Sequence, residues 1–335
     1  MDDSGLIGIP EVQREMARAA VAAAFGSASN YTASPVLGGV SGAFVYRVDI
    51  AGHRYVLRME GAENSLRNPH QYAAMKIAAA AGIAPRLHYI DEVAGIVVMD
   101  FVEDRRLETY PGGPRGLAVA VGELLAKVQC LPSFQRVIEY PDVVERLWGK
   151  VCKSGLFADG VLDAHSEKLK RISGTYSRDS GQFVAGHNDV LPRNLLFDGD
   201  RLWLIDWEGA SLNDPLIDVG TALDNFAPAP ELEKVLIQAW YQRPLAAHDH
   251  ARLQLVRALN RLGYASILFR AAARARCIKL DRDLSALSPA AFENAIRDGW
   301  LKPETPEASY ALGKMFLDSF LSGGAAPGLP PLFMR

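Results

Sequence analysis

Residues 187–206 read HNDVLPRNLLFDGDRLWLID. They place His187, Asp189, Asn194 and Asp206 on a tight loop followed by two short strands. A polar surface hairpin would satisfy that composition. A site for phosphoryl transfer would also explain the order of the residues. Moving a phosphoryl group from a nucleotide needs a carboxylate that orients the acceptor hydroxyl and takes its proton. It also needs hard oxygen ligands for a magnesium ion, and cationic or backbone donors for the phosphates. Asp189 supplies the carboxylate, and Asn194, five residues on, a neutral oxygen. Asp206 ends an apolar strand (Leu202, Leu204, Ile205) and adds a second carboxylate. An Asp followed after four residues by Asn is common by chance. The preceding His187, the short hairpin and the terminal Asp make the pattern specific.

The segment before residue 102 offers donors for phosphates. Gly38-Gly39-Val40-Ser41-Gly42 lies between two strands, where glycines let backbone N–H groups approach phosphate closely. A plain hairpin turn is the alternative for this loop. Arg58 sits on an otherwise apolar strand, facing opposite to Leu57 and Met59, and its guanidinium suits the α- and β-phosphates. Without the downstream loop it would read as an edge-strand arginine reaching solvent.

The bulk of the chain narrows the partners. A net charge of −3 with both signs interspersed, and no basic run with interleaved aromatics, points away from nucleic acid and from anionic membranes. No stretch approaches the ~20 apolar residues of a membrane span, so no membrane insertion is expected. Cys130, Cys152 and Cys277 lie far apart without CxxC spacing, which suits a reducing, cytoplasmic setting. Residues 10–26, behind Asp2 and Asp3, read as an amphipathic helix with Pro10 in its first turn rather than a secretory leader.

Along the chain the texture changes once. Residues 31–101 are β-like. Phe44, Tyr46, Val48 and Ile50 alternate, the turn Ala51-Gly52-His53 follows, and Tyr55, Leu57 and Met59 alternate again. A helix over 69–81 is closed by Gly82, and strands are expected at 85–90 and 95–101. Helical periodicity then fills 117–130, 142–153, 158–172, 215–224, 231–240, 251–276, 289–300 and 306–321, interrupted by β texture only around 183–206. The expected fold class is therefore α+β, with two lobes. A small antiparallel β lobe with one inserted helix (1–102) precedes a larger, mainly helical lobe (103–325). The Gly/Pro-rich end, 326–335, reads as a flexible tail. Ligands favour clefts between such lobes.

The stretch GHNDVLPRNLLFDGDRLWLIDWEGASLNDPLIDVG resembles the core of the choline/ethanolamine kinases and their aminoglycoside phosphotransferase relatives, which share the protein-kinase-like fold. GGVSG at 38–42, YVLRM at 55–59, AAAAGIAPRL at 78–87 and VVMDFVE at 97–103 extend the likeness over about residues 30–245. HND, LIDWE at 204–208 and NDPLID at 213–218 resemble the choline kinase branch more closely. The resemblance implies Asp189 as catalytic base and Asn194 and Asp206 as Mg²⁺ ligands. Arg58 and the loop of Gly38, Gly39, Ser41 and Gly42 would hold the phosphates of ATP. The backbone of Met99, Asp100, Phe101, Val102 and Glu103 would receive adenine. Glu208 matches an acidic residue that the choline branch carries two after the metal Asp. Asp218 matches a buried Asp that holds the catalytic loop. Two departures stand out. The family's helix glutamate, partner of the strand's basic residue, is here Gln71, whose carbonyl could accept from Arg58 without charge assistance. Gly42 stands where relatives often carry Asn.

Other residues admit plainer readings. His187 reads as a brace for the loop. Trp207, Trp240 and Tyr241, with Glu208, could wall an acceptor carrying an ammonium group, and Tyr264 and Trp300 are also available. Their helical spacing equally suits core packing. His248 and His250 flank Asp249 at a spacing that does not share a helix face, so no metal site is expected there. Arg270, Arg274 and Arg276 read as a solvated face. The function expected is an ATP-dependent kinase of a small hydroxylated metabolite, an amino alcohol such as choline or ethanolamine. An aminoglycoside- or thiamine-type kinase and a nucleotide-binding pseudokinase scaffold are alternatives. A metal-dependent phosphohydrolase would leave the glycine loop unexplained.

Overall fold

The computed structural model describes residues 9–26, 31–36, 43–61, 68–176, 180–275, 280–303 and 305–323. The glycine loop at 38–42, Arg276 and the expected tail at 326–335 lie outside the described residues. By its contacts the chain divides into two compact units. One comprises Met1–Tyr110 with Asn194–Ala210, the other Pro111–Arg193 with Ser211–Met334. The division differs from a single cut near residue 102, because the hairpin after the polar loop is bonded into the first unit.

In that unit, α1 (Glu11–Phe25) buries Ala17, Ala20 and Val21. Strands β1 (Tyr31–Pro35), β2 (Phe44–Ile50), β3 (His53–Met59), β4 (Leu87–Asp91) and β5 (Ile96–Asp100) form an antiparallel sheet in the order β1-β2-β3-β5-β4. Alternation decides which face is covered. Tyr46, Val48, Ile50, Leu57, Met59, Ile96 and Val98 form one cluster with the buried stripe of α1. The β2–β3 turn is fixed by Ala51 (φ 49°) and Gly52 (φ 81°), two successive positive-φ residues whose twist matches that of the strands. Between β3 and β4 runs α2 (Gln71–Ala80). Its expected stop is observed: Gly82 takes φ 70°, and Ile83 N–H donates to Ala78 O at 2.9 Å. The hairpin strands Leu195–Phe197 and Leu202–Leu204 pair with each other. They are tied to this unit by Arg105 N–H to Phe197 O (2.7 Å) and Leu204 N–H to Ile83 O (3.0 Å).

The second unit is helical: α3 (Gly113–Gln129), α4 (Tyr140–Cys152), α5 (Asp163–Thr175), α6 (Leu216–Phe226), α7 (Pro230–Tyr241), α8 (Ala247–Ala275), α9 (Pro289–Arg297) and α10 (Pro306–Ser322). Its one described strand pair, Val184–Gly186 with Ser211–Asn213, is antiparallel. Two helices are shorter than their periodicity predicts. α5 begins at Asp163 rather than 158, because Gly160 adopts φ 81°, and α9 stops before Gly299, which adopts φ 79°. Among the described residues, Gly122 and Gly313 allow the tightest approach of helices. A Cβ on Gly122 would lie 2.6 Å from Leu236 O, and one on Gly313 2.7 Å from the Phe269 ring. Across α6, α7 and α8, Arg257 is paired with Asp224 (2.5 Å) and Glu233 (2.8 Å), which compensates a guanidinium buried among helices. No helix among the described residues is long and apolar enough to cross a membrane.

Candidate active site

In the second unit the strand Val184–Gly186 runs directly into the polar loop. The loop is held from beneath by Asp218, in the first turn of α6. Its Oδ2 accepts the backbone N–H of His187 at 2.7 Å, and its Oδ1 that of Asn188 at 2.6 Å. Two adjacent backbone donors on one carboxylate fix the direction of the chain at that point. Asn188 then takes φ 63°, a left-handed conformation that its short polar side chain tolerates. His187 and Asp218 are almost wholly buried. Burial pushes the Asp218 carboxyl above the usual carboxylate range, while the His187 and Asn188 contacts pull the other way. α6 itself is anchored by the buried Asp214, which accepts from Leu216 N–H (2.9 Å), Tyr176 OH (3.0 Å) and Arg252 (2.9 Å).

The loop presents Asp189, whose side chain is 28% exposed and lies 3.4 Å from Arg193. Tyr140 of α4 and Tyr264 of α8 feel its charge. Burial first, and then the neighbouring carboxylate of Asp189, pushes both phenols upward and keeps them neutral. Tyr140 opens a helix without any motif around it, so nothing in the sequence pointed to it.

The first unit carries a separate group of candidates. The chain crosses into it between Arg193 and Asn194. Ile205 N–H donates to Asn194 O at 2.9 Å, one step beyond the pair Leu195 and Leu204. The hairpin register therefore brings Asn194 and Asp206 to the same end of the ladder. Asn194 is buried. Asp206 adopts φ 66° and ψ 63°, uncommon for a non-glycine residue and concentrated at functional sites. A short 3-10 turn follows, Trp207–Gly209.

Arg58 of β3 is 8% exposed, so it is no edge-strand arginine reaching water. Its guanidinium makes an ion pair with Glu208 and a longer one, 3.6 Å, with Glu60. Among the described residues its Nη1 is buried without a hydrogen-bond partner. Such an atom carries a desolvation cost unless an acceptor meets it.

Several expected roles change. Gln71 does not accept from Arg58. Its Nε2 donates to Glu60 Oε1 at 2.5 Å, beside a second bond from the Tyr72 hydroxyl, and its own carbonyl oxygen has no partner among the described residues. An acceptor on the helix would have to compete with a carboxylate already beside the arginine, and the carboxylate wins. Trp207 cannot wall an acceptor. It is 1% exposed, and its indole N–H donates to Leu204 O at 3.0 Å. Trp240 is buried as well and donates to Gln129 at 2.8 Å, which ties α7 to α3. Tyr241 stacks on it, with centroids 5.0 Å apart, and its hydroxyl is taken by Arg243. Trp300 is exposed after the end of α9. Glu208 pairs with Arg58 within the first unit.

The expected adenine-receiving stretch ends β5. Met99 is paired within the sheet with Val56 and Leu87. Asp100 N–H donates to Arg86 O and Phe101 N–H to Arg54 O, so Val102 and Glu103 are the first residues beyond these bonds. Residues 100–103 also line an open concavity of about 490 Å³ with Tyr55 and Trp203. Among the described residues no three His, Cys, Asp or Glu side chains cluster as a metal cage.

The model of the phosphotransferase enzyme family matches residues 32–256. Protein LicA of Haemophilus influenzae is 24% identical over 222 residues, covering 63% of this chain and 82% of LicA. Among solved structures, a choline/ethanolamine kinase family protein from Mesorhizobium loti superposes with a TM-score of 0.59 at 22% identity, over 93% of this chain and all of the other. A spectinomycin phosphotransferase solved with ADP and spectinomycin gives 0.52 at 12% identity, over 84% and 93% of the two chains. The loop held by Asp218 and the buried strand arginine thus lie within a match that spans most of the sequence. This chain belongs to the phosphotransferase enzyme family and has the α+β, protein-kinase-like fold.

Proposed function

We propose that this phosphotransferase is an ATP-dependent kinase of a small hydroxylated metabolite, with an amino alcohol such as choline or ethanolamine as acceptor. The observation that carries the reading is the grip of Asp218 on the N–H groups of His187 and Asn188, which delivers Asp189 at a fixed place with part of its carboxylate exposed. Asp189 accepts the proton of the acceptor hydroxyl as its oxygen bonds to the γ-phosphorus. The bond from that phosphorus to the bridging oxygen breaks, and ADP leaves. The protein's share is positioning and charge stabilisation. Arg58 offers its unbonded Nη1 to a phosphate oxygen. Val102 and Glu103 receive the adenine edge. One amide oxygen (Asn194) and one carboxylate (Asp206) suit Mg²⁺, which usually takes one or two protein oxygens and completes its shell with phosphates and water. Bound there, the ion would neutralise charge on the phosphates. The amino-alcohol preference rests on the HND, LIDWE and NDPLID stretches.

The test is Asp189→Ala, assayed with Mg-ATP against choline, ethanolamine, thiamine and an aminoglycoside. Turnover of the preferred acceptor should fall by at least ~10²-fold, the usual contribution of a positioned base. Calorimetric affinity for Mg-ADP should stay the same. Undiminished turnover would remove Asp189 from the chemistry. No phosphate ester from any alcohol, with nucleotide still bound by the wild type, would favour a scaffold.

A further inference from the structure

We infer that Glu60 is the positioning carboxylate for Arg58, supplied by the strand itself. The inference rests on the phosphate-binding role proposed above for that arginine. A buried guanidinium on a strand has many rotamers and a high desolvation cost, and a fixed carboxylate removes both problems. Among the described residues two carboxylates reach Arg58, and they differ in how they are held. Glu208 is 38% exposed and lies within the short turn that follows Asp206. Glu60 has a 15% exposed side chain and stands two residues from Arg58, immediately after β3.

Three features hold Glu60 in place. Gln71 and Tyr72, adjacent on α2, both donate to its Oε1, the oxygen that lies 3.6 Å from Arg58 Nη1. Its backbone N–H donates to Gly95 O at 2.9 Å. Gly95 adopts φ 71°, and a Cβ there would lie 3.0 Å from Glu60 Cβ, so the strand turn leaves the side chain little space to move. The first turn of α2 therefore acts on Arg58 through Glu60. The glutamine that cannot itself carry charge is the donor that orients the charge next door. The distance of 3.6 Å is beyond a hydrogen bond, so Glu60 steers the guanidinium electrostatically and leaves Nη1 available to a phosphate oxygen.

The experiment compares Arg58→Ala, Glu60→Gln, Gln71→Glu and the double variant Glu60→Gln/Gln71→Glu by calorimetric titration with Mg-ADP and by KM for Mg-ATP. Glu60→Gln should weaken Mg-ADP binding and raise the nucleotide KM by about tenfold, with kcat changed less, because the negative charge that steers the guanidinium is lost. The double variant returns a carboxylate from the helix side and should recover most of that loss, which a merely structural defect would not allow. Unchanged Mg-ADP affinity in Glu60→Gln, alongside a large loss in Arg58→Ala, would overturn the role of Glu60 while keeping that of Arg58. Unchanged affinity in Arg58→Ala would instead overturn the phosphate-binding reading itself. If Glu60→Gln does not fold, Gln71→Met removes the orienting donor and keeps the carboxylate. A raised nucleotide KM then supports the inference, and an unchanged one sinks it.

Discussion

Arg58 illustrates how a single position changes meaning with its surroundings. On sequence it is an arginine alternating with Leu57 and Met59, which fits a solvated strand edge as well as a phosphate grip. Its burial and its two carboxylate neighbours remove the first reading. His165 is another residue whose role depends on burial. It lies on α5, 2% exposed, between the rings of Trp148 (5.9 Å) and Phe320 (6.1 Å). Burial lowers its pKa to about 4, and nearby Lys168 adds to the effect. Because the folded value lies below the unfolded one, this group's contribution to stability is fully present above about pH 6.5. It is lost as pH falls from there towards about 4, where the unfolded chain binds the proton and the folded one does not. Urea midpoints should therefore drop more between pH 7 and 5 in the wild type than in His165→Phe. Equal drops would show that this histidine is not held neutral.

At the scale of elements, motifs set the ends of helices and strands better than they set partners. Gly82 closes α2 where a C-terminal glycine should, and the Ala51-Gly52 turn fixes the β2–β3 register. The glycines inside helices carried no such signal, yet they decide the packing. Gly313 of α10 faces Phe269 of α8, a ring packed edge-on against Phe157 and Tyr310 and fully buried. Alanine is the better helix former by ~1 kcal/mol, but its methyl would enter a ring that has nowhere to go. Overpacking of this kind costs about 1–3 kcal/mol. Gly313→Ala should therefore lower the urea midpoint, and a stabilised variant would show that α8 and α10 can part without penalty.

At the scale of the whole molecule, the first unit is discontinuous in sequence. Residues 194–210 leave the helical unit, pair with Arg105 and Ile83 through main-chain bonds, and bring Glu208 to Arg58. Asn68, which donates to Ala210 O at 2.5 Å, closes the same segment from its far end. A fragment of residues 1–110 alone would lose all of these bonds and keep a buried guanidinium with one carboxylate. It should show no cooperative thermal transition by circular dichroism. The same fragment joined to residues 194–210 by a short linker should regain one. A sharp transition in the shorter fragment would show that the hairpin is dispensable to this unit.

The sequence by itself determined the α+β class, the sheet of the first hundred residues with its inserted helix, and the family. These depend on period, on turn residues and on one polar stretch, and all of those are local. What it left undecided were the partners: Glu60 and not Gln71 beside Arg58, Trp207 and Trp240 in the core, Tyr140 beside Asp189, and the hairpin 194–210 bonded to the first unit. A tryptophan at helical spacing can face a core or a ligand, and a carboxylate two residues along a strand can face either way. Only the closing of the chain on itself fixes which side loses its water, and that burial decided each of these cases.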